Sequence, residues 1–289
     1  MSIRIKTYQE LTFTDDFMFC NILQSNPDIC KDLVELLLDR KVSSIKMPEM
    51  QKSIKITSDG KGVRFDVYFE DDDTIYDIEM QTTNQYNLPQ RSRYYQGVAD
   101  VNQIRAGAEY SELKNSYIIF INTFDLFGRD FPIYTFEHFC REDKTLALAD
   151  GTFRVFINAA STQTNMPSEL RGFLDYLLSG LPCSDLTGRI EQRVDSARSN
   201  KSWEVSYMTL AEKYKEMFVE GREEGRVEGR AEGLAEGEER GMAKGEAKAK
   251  STLIASLQRN GLSIAEIAKL AEMPEHEVAE ILQSAGVKQ

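Results

Sequence analysis

The stretch Arg64-Phe65-Asp66-Val67-Tyr68-Phe69-Glu70, Asp71-Asp72-Asp73-Thr74, Ile75-Tyr76-Asp77-Ile78-Glu79-Met80-Gln81 decides the fold class. Polar and apolar residues alternate on both sides of an acidic turn, which is the period of a β-hairpin. Asp66, Tyr68 and Glu70 fall on one face of the first strand, opposite Phe65, Val67 and Phe69. In the second strand Asp77, Glu79 and Gln81 share a face, opposite Tyr76, Ile78 and Met80. Because the apolar sets must meet one core, paired residues come from matching faces. A four-residue loop at Asp71–Thr74 pairs Glu70 with Ile75 and sets Asp66 opposite Glu79, whereas a two-residue loop sets Asp66 opposite Asp77. In either register two carboxylates face each other at roughly 5 Å between Cβ atoms, which is destabilising unless something intervenes. Two arrangements resolve this. The acids form a hydrated edge face that discourages aggregation, or a cation sits between them, since carboxylate, water and phosphate oxygens are what Mg²⁺ accepts. Gln81 projects from the same face, where its amide could orient a water.

Upstream of the hairpin, Thr14-Asp15-Asp16-Phe17-Met18-Phe19 has the form of a helix start, with a capping hydroxyl and acids in the first turn. Asn26-Pro27-Asp28 opens a second helix whose apolar face carries Leu33, Val34, Leu36 and Leu37. Residues 52–57 read as a strand and 58–62 as a turn. Downstream, 88–108 is helical in pattern, Asn115–Asn122 is a buried strand by its continuous apolar run, and Phe131–Cys140 and Thr152–Asn158 are two more strands. From about 167 to 219 the pattern is helical throughout.

The chain has 289 residues, enough for one sizeable core and an appendage. Thirty-five basic against 47 acidic residues give a net charge of -12, which argues against a broadly basic nucleic-acid binder but not against an enzyme that meets phosphate through cations. No apolar run is long enough to cross a membrane, and the N-terminus lacks a signal-peptide pattern. The four cysteines, Cys20, Cys30, Cys140 and Cys183, lack CxxC spacing, and with two histidines they argue against a zinc site. Reduced, buried thiols and a cytoplasmic location are expected.

The ordered series Arg64-Phe65-Asp66-Val67, the acidic turn, Ile78-Glu79-Met80-Gln81, with Thr14–Phe19 before it and Arg91-x-x-Tyr94-Tyr95, Gln103-x-x-x-Gly107-x-x-Tyr110 and Tyr117–Ile121 after it, resembles the PD-(D/E)XK nuclease superfamily. The likeness is to its recombination-promoting nuclease, or nuclease family transposase, branch, and it covers about residues 10–160. The resemblance implies a restriction-endonuclease-like α/β fold: a mixed β-sheet core flanked by helices, here followed by an all-α C-terminal extension. It implies a metal-dependent DNA endonuclease using Mg²⁺, or Mn²⁺ as a substitute, with Asp66 and Glu79 ligating the metal. Gln81 would stand where the superfamily has a lysine, and an amide cannot supply that positive charge. Asp16 (or Asp15) matches an early helix carboxylate that is either a further metal ligand or a capping acid. Arg91 and Arg93 are either phosphate contacts or solvated surface. The alternative function is a catalytically weak or inactive nuclease fold acting as a DNA-binding or assembly module.

The expected organisation is a nuclease-like core over 1–160, a helical extension over 161–219, a charged repeat over 220–250, and a small helix-turn-helix-like module over 251–289. In the repeat, Gly221, Gly225, Gly229, Gly233, Gly237, Gly241 and Gly245 recur every fourth residue, between stripes of Glu and Arg with the same period. A lone helix of this kind is poor, because each glycine costs about 1 kcal/mol and like charges repel at i,i+4. Two such helices packed at the glycines would relieve both faults, so a homo-oligomer is expected here; the other reading is a flexible linker. In the last module the would-be reading helix carries Glu275, Glu277 and Glu280, which suits docking or assembly better than DNA.

Overall fold

The computed structural model describes residues 4–43, 45, 49–54, 62–84 and 86–284. Helices α1 (Asp16–Ser25) and α2 (Pro27–Leu38) precede a six-stranded mixed sheet of β1 (Glu49–Ile54), β2 (Val63–Glu70), β3 (Thr74–Gln81), β4 (Asn115–Asn122), β5 (Ile133–Phe136) and β6 (Thr152–Asn158). The spatial order is β1-β2-β3-β4-β6-β5. β1, β2 and β3 form an antiparallel meander, β3–β4 and β4–β6 are parallel, and β5 returns antiparallel on β6. The parallel step from β3 to β4 needs a crossover, which α3 (Leu88–Gln103) supplies. This is the mixed sheet flanked by helices that the sequence led us to expect.

The two faces of the sheet meet different partners. Val67, Phe69, Tyr76, Ile78, Met80, Ile119, Ile121, Val155 and Ile157 join the main core with α1, α2, α4 (Ser168–Ser179) and α5 (Asp185–Arg198). On the opposite face Val63, Phe65, Tyr68 and Ile75 pack with Val98 and Ala99 of α3. Residues 161–198 therefore complete the core of the α/β unit, with Leu170, Phe173, Leu174, Ile190 and Val194 buried in it. The N-terminal segment is tied to the same core: Tyr8 Oη donates to the Ala197 carbonyl at 2.6 Å and Tyr207 Oη to the Lys6 carbonyl at 2.7 Å.

Several local expectations are corrected. Asp15, not Thr14, is the N-cap of α1. Its carboxylate accepts from Lys6 Nζ and from the Thr12 backbone N–H and hydroxyl, so it closes the preceding turn rather than capping the helix. The strand expected at 52–57 begins earlier, at Glu49; its last three positions and residues 58–61 of the turn lie outside the described residues. β5 keeps only Ile133–Phe136 of the longer run, because Asp125 gathers the Tyr134 hydroxyl and three backbone N–H groups into a loop before it.

The chain divides into two compact units, Met1–Ala211 and Glu212–Gln289. The glycine repeat lies in a single helix, α6 (Lys201–Arg259). A Cβ added at any glycine of the repeat would meet nothing within 4 Å. In the second unit Ile254 and Ala255 of α6 pack with Ile267 and Ala268 of α7 (Ile264–Leu270) and Val278 and Leu282 of α8 (Glu275–Ser284). Gly261 supplies the left-handed turn after α6 at φ +91°. Ser263 and Glu266 close a reciprocal capping box on α7. No helix among the described residues is long and apolar enough to cross a membrane.

Candidate metal centre

Tight turn chemistry sets the hairpin register. Asp71 is buried, and its carboxylate accepts from the Thr74 and Asp73 N–H groups and the Tyr76 hydroxyl. Glu70 pairs with Ile75 and Val67 with Ile78, as the four-residue loop requires. Continuing that register brings Asp66 opposite Glu79, and the regular ladder ends there. Beyond Val67–Ile78 the acids themselves take over: the Asp66 N–H donates to Glu79 Oε1 at 2.9 Å, and the Met80 N–H donates to Asp66 Oδ2 at 3.2 Å. Side-chain oxygens thus replace carbonyls as acceptors where the strands part. Strict alternation also breaks here, because Phe65 lies on the α3 side with Tyr68 and not with Val67 and Phe69. Its ring meets Tyr95 of α3 edge-on at 5.4 Å.

The hydrated-edge reading falls on topology and burial. β2 and β3 are interior strands, covered by β1 and β4, and α3 lies over the acidic face. Asp66 is 8% exposed, Glu79 1%, Asp77 0% and Gln81 9%. Asp77, which the hydrated-edge reading would leave in water, is buried with them, and neither of its oxygens has a hydrogen-bond partner among the described residues. Burial, and then mutual repulsion, pushes these carboxyls upward. Asp66 rises to about 7, chiefly by desolvation and then by the charge of Asp16. Glu79 is held well above the usual range by burial and the Asp66 charge, and Asp77 by burial and the Glu79 charge.

From α3 a cation reaches into this cluster. Arg91, on the first turn of α3, donates from Nη2 to Glu79 Oε2 at 3.3 Å and from Nη1 to Gln81 Oε1 at 3.1 Å. Nη2 also donates to the Tyr95 hydroxyl at 3.1 Å, and the guanidinium carbon lies over the rings of Tyr95 and Phe120. Arg91 is therefore half-buried and engaged by the cluster rather than solvated. Arg93 is exposed on the same helix, with no hydrogen bond or ion pair among the described residues, and is not drawn into the cluster.

From the other side, α1 brings Asp16 and Cys20 to Asp66, with one ligand atom of each lying within 4.8 Å of the others. Cys20 Sγ donates to Asp16 Oδ1 at 3.4 Å, and Arg64 Nη2 to Asp16 Oδ2 at 3.1 Å. Asp16, Asp66, Glu79, Gln81 and Arg91 are thus assembled at one place. Sequence reasoning missed Cys20 and Asp77. The i,i+4 spacing of Asp16 and Cys20 was the available signal for the first. The shared strand face with Glu79 was the signal for the second.

A divalent cation fits this donor set. Three buried acids outnumber the Arg91 and Arg64 guanidinium groups that reach the cluster, and buried charge needs compensation by a partner or a metal. Among the described residues no hydrogen-bond donor reaches the Asp77 oxygens to offset that charge. Each Glu79 oxygen accepts one hydrogen bond and keeps a lone pair for a ligand.

No curated protein and no solved structure matches the chain. Residues 14–135, which contain every residue of this cluster, match the family model of the PD-(D/E)XK nuclease family transposases.

Proposed function

We propose that the protein is a Mg²⁺-dependent DNA endonuclease that hydrolyses phosphodiester bonds at the Asp66–Glu79 cluster, with Mn²⁺ as a competent substitute. The observation that carries this reading is the buried pairing of Asp66 with Glu79 where the β2–β3 ladder ends, inside the stretch matched to a nuclease family. Asp66 and Glu79 would hold the cation, with Asp16 beside them. A cation bound there supplies a lowered water pKa and neutralises charge on the phosphate oxygens. Asp66 and Glu79 then serve as ionised ligands, which is the state that their burial opposes in the metal-free protein. Gln81, on the same strand face, offers an amide to the attacking water or to a phosphate oxygen. Water adds to phosphorus, the bond to the leaving oxygen breaks, and that oxygen takes up a proton.

The deciding experiment is plasmid cleavage with Mg²⁺ or Mn²⁺ by the wild type and by Asp66→Ala and Glu79→Ala. Nicking by the wild type that both substitutions abolish is the expected result. Equal nicking by all three, or none by the wild type with any divalent ion, refutes the reading. A homo-oligomer formed through the glycine face of α6 belongs to the same proposal. Its support is the helical continuity of that repeat and the open space at every glycine.

A further inference from the structure

Gln81 is 9% exposed, and its one hydrogen bond among the described residues runs from Arg91 Nη1 to Oε1. Its Nε2, with two N–H donors, has no partner there. Which end of a buried amide faces a site is set by the network around it. The amide oxygen is taken by a fixed cation, so the donor end is the one left to serve a ligand. An unpinned amide could turn its oxygen toward an anionic substrate and repel it.

The guanidinium that does the pinning is itself held on several sides. Its other nitrogen is engaged by Glu79 and Tyr95, and it lies 5.4 Å from the Tyr95 ring centre and 5.5 Å from that of Phe120. A planar fork can serve a carboxylate and an amide at once in a way that an ammonium cannot. We propose that Arg91 is a positioning residue which, through its fork on Glu79 and Gln81, fixes the Gln81 amide with its N–H groups toward the reacting phosphate or water. The strand position thereby becomes a donor without being a cation. This rests on the endonuclease reading for its catalytic consequence, but the pinning itself is a property of the metal-free protein.

The first test needs no activity. In metal-free full-length protein labelled with ¹⁵N-glutamine, the Gln81 side-chain NH₂ pair is identified by its loss in Gln81→Glu. It should be dispersed and slow to exchange in the wild type, and should move to the positions of exposed glutamines in Arg91→Met. Retention of the wild-type pair in Arg91→Met overturns the pinning, whatever the cleavage results. The second test is a double-mutant cycle on single-turnover cleavage at saturating Mn²⁺. Gln81→Ala and Arg91→Met should each slow cleavage by about 100-fold, the loss expected of one oriented donor. The double variant should be slower than either single by less than about 3-fold, because the two residues act as one unit. Arg91→Lys keeps the charge and should restore less than about a tenth of the rate. Multiplicative losses, or full rescue by lysine, overturn the positioning role. Trp203 fluorescence checks that each variant is folded. A wild type that cuts nothing refutes the endonuclease reading and the catalytic half of this proposal together, and the amide signal separately reports whether the pinning stands.

Discussion

Asp66→Asn in the metal-free protein isolates the electrostatic strain at the site. Asparagine keeps an oxygen to accept the Met80 N–H, so the local bond survives while the charge is removed. In the folded chain the Asp66 carboxyl is raised from 3.8 to about 7, first by burial and then by the Asp16 charge. A carboxyl raised by folding contributes no penalty below its unfolded pKa, and stability is lost as pH climbs from there through the folded value. Fully expressed, the shift corresponds to about 4 kcal/mol, of which roughly 2–3 kcal/mol falls between pH 5 and pH 8. Glu79 and Asp77 are raised in the same direction, so the wild type loses stability over this window by at least the Asp66 share. Because the Asp66 charge is one cause of the Glu79 shift, its removal relaxes Glu79 as well. The assay is urea unfolding with a chelator present at pH 5, 6.5 and 8, followed by the fluorescence of the single tryptophan, Trp203, which packs against the main core. Asp66→Asn should be the more stable protein at pH 8, and its advantage should shrink by about 2–3 kcal/mol at pH 5. Parallel pH profiles for the two proteins would refute the claim that Asp66 is a desolvated, uncompensated acid.

Adding millimolar Mn²⁺ to the wild type at pH 8 should raise its melting temperature, by differential scanning fluorimetry, and the rise should vanish in Asp66→Ala and Glu79→Ala, since binding to the native state alone stabilises it. Truncating Phe173, which is fully buried in the main core, to Ala should cost about 3–5 kcal/mol in the Trp203 transition. Replacing Gly229, Gly233 and Gly237 together by Ala should increase helicity in circular dichroism, because no neighbour obstructs the added methyl groups and each gains about 1 kcal/mol of helix propensity. If the glycine face joins two copies, the same triple variant, and a chain ending at Val219, should fall to a smaller mass in light scattering. An unchanged mass in both would sink the oligomer proposal.

Much of the α/β layout was readable because period and turn chemistry are local properties. Asn115–Asn122 and Thr152–Asn158 match their strands residue for residue, the first as one continuous apolar run and the second as an apolar run bounded by turn residues. The hairpin register followed from one decision about loop length, and Asp71 enforces it by binding the turn backbone. Solvent exposure was not readable. An alternating strand with acids on one phase looks the same whether that phase meets water or a covering helix, and Asp77 was misjudged for that reason. Nor could the run of polar residues in α3 say that Arg91 turns inward while Arg93 stays outside. Two residues along a helix are about 200° apart, and only packing against Tyr95 and Phe120 chooses between them.

By itself the sequence located most of the elements, narrowed the partner of Asp66 to Glu79 or Asp77, and put Gln81 on the same face, because these depend on neighbours within a hairpin; the turn contacts of Asp71 set the register that opposes Asp66 to Glu79. Tertiary structure alone decided that the acidic face is buried, since α3 comes from beyond the hairpin to cover it. The same long-range packing brought Asp16 and Cys20 from 46 or more positions upstream to Asp66. It also set the Arg91 guanidinium between Glu79 and Gln81. The positive charge that strand position 81 lacks thus arrives beside its amide from the helix that closes over it.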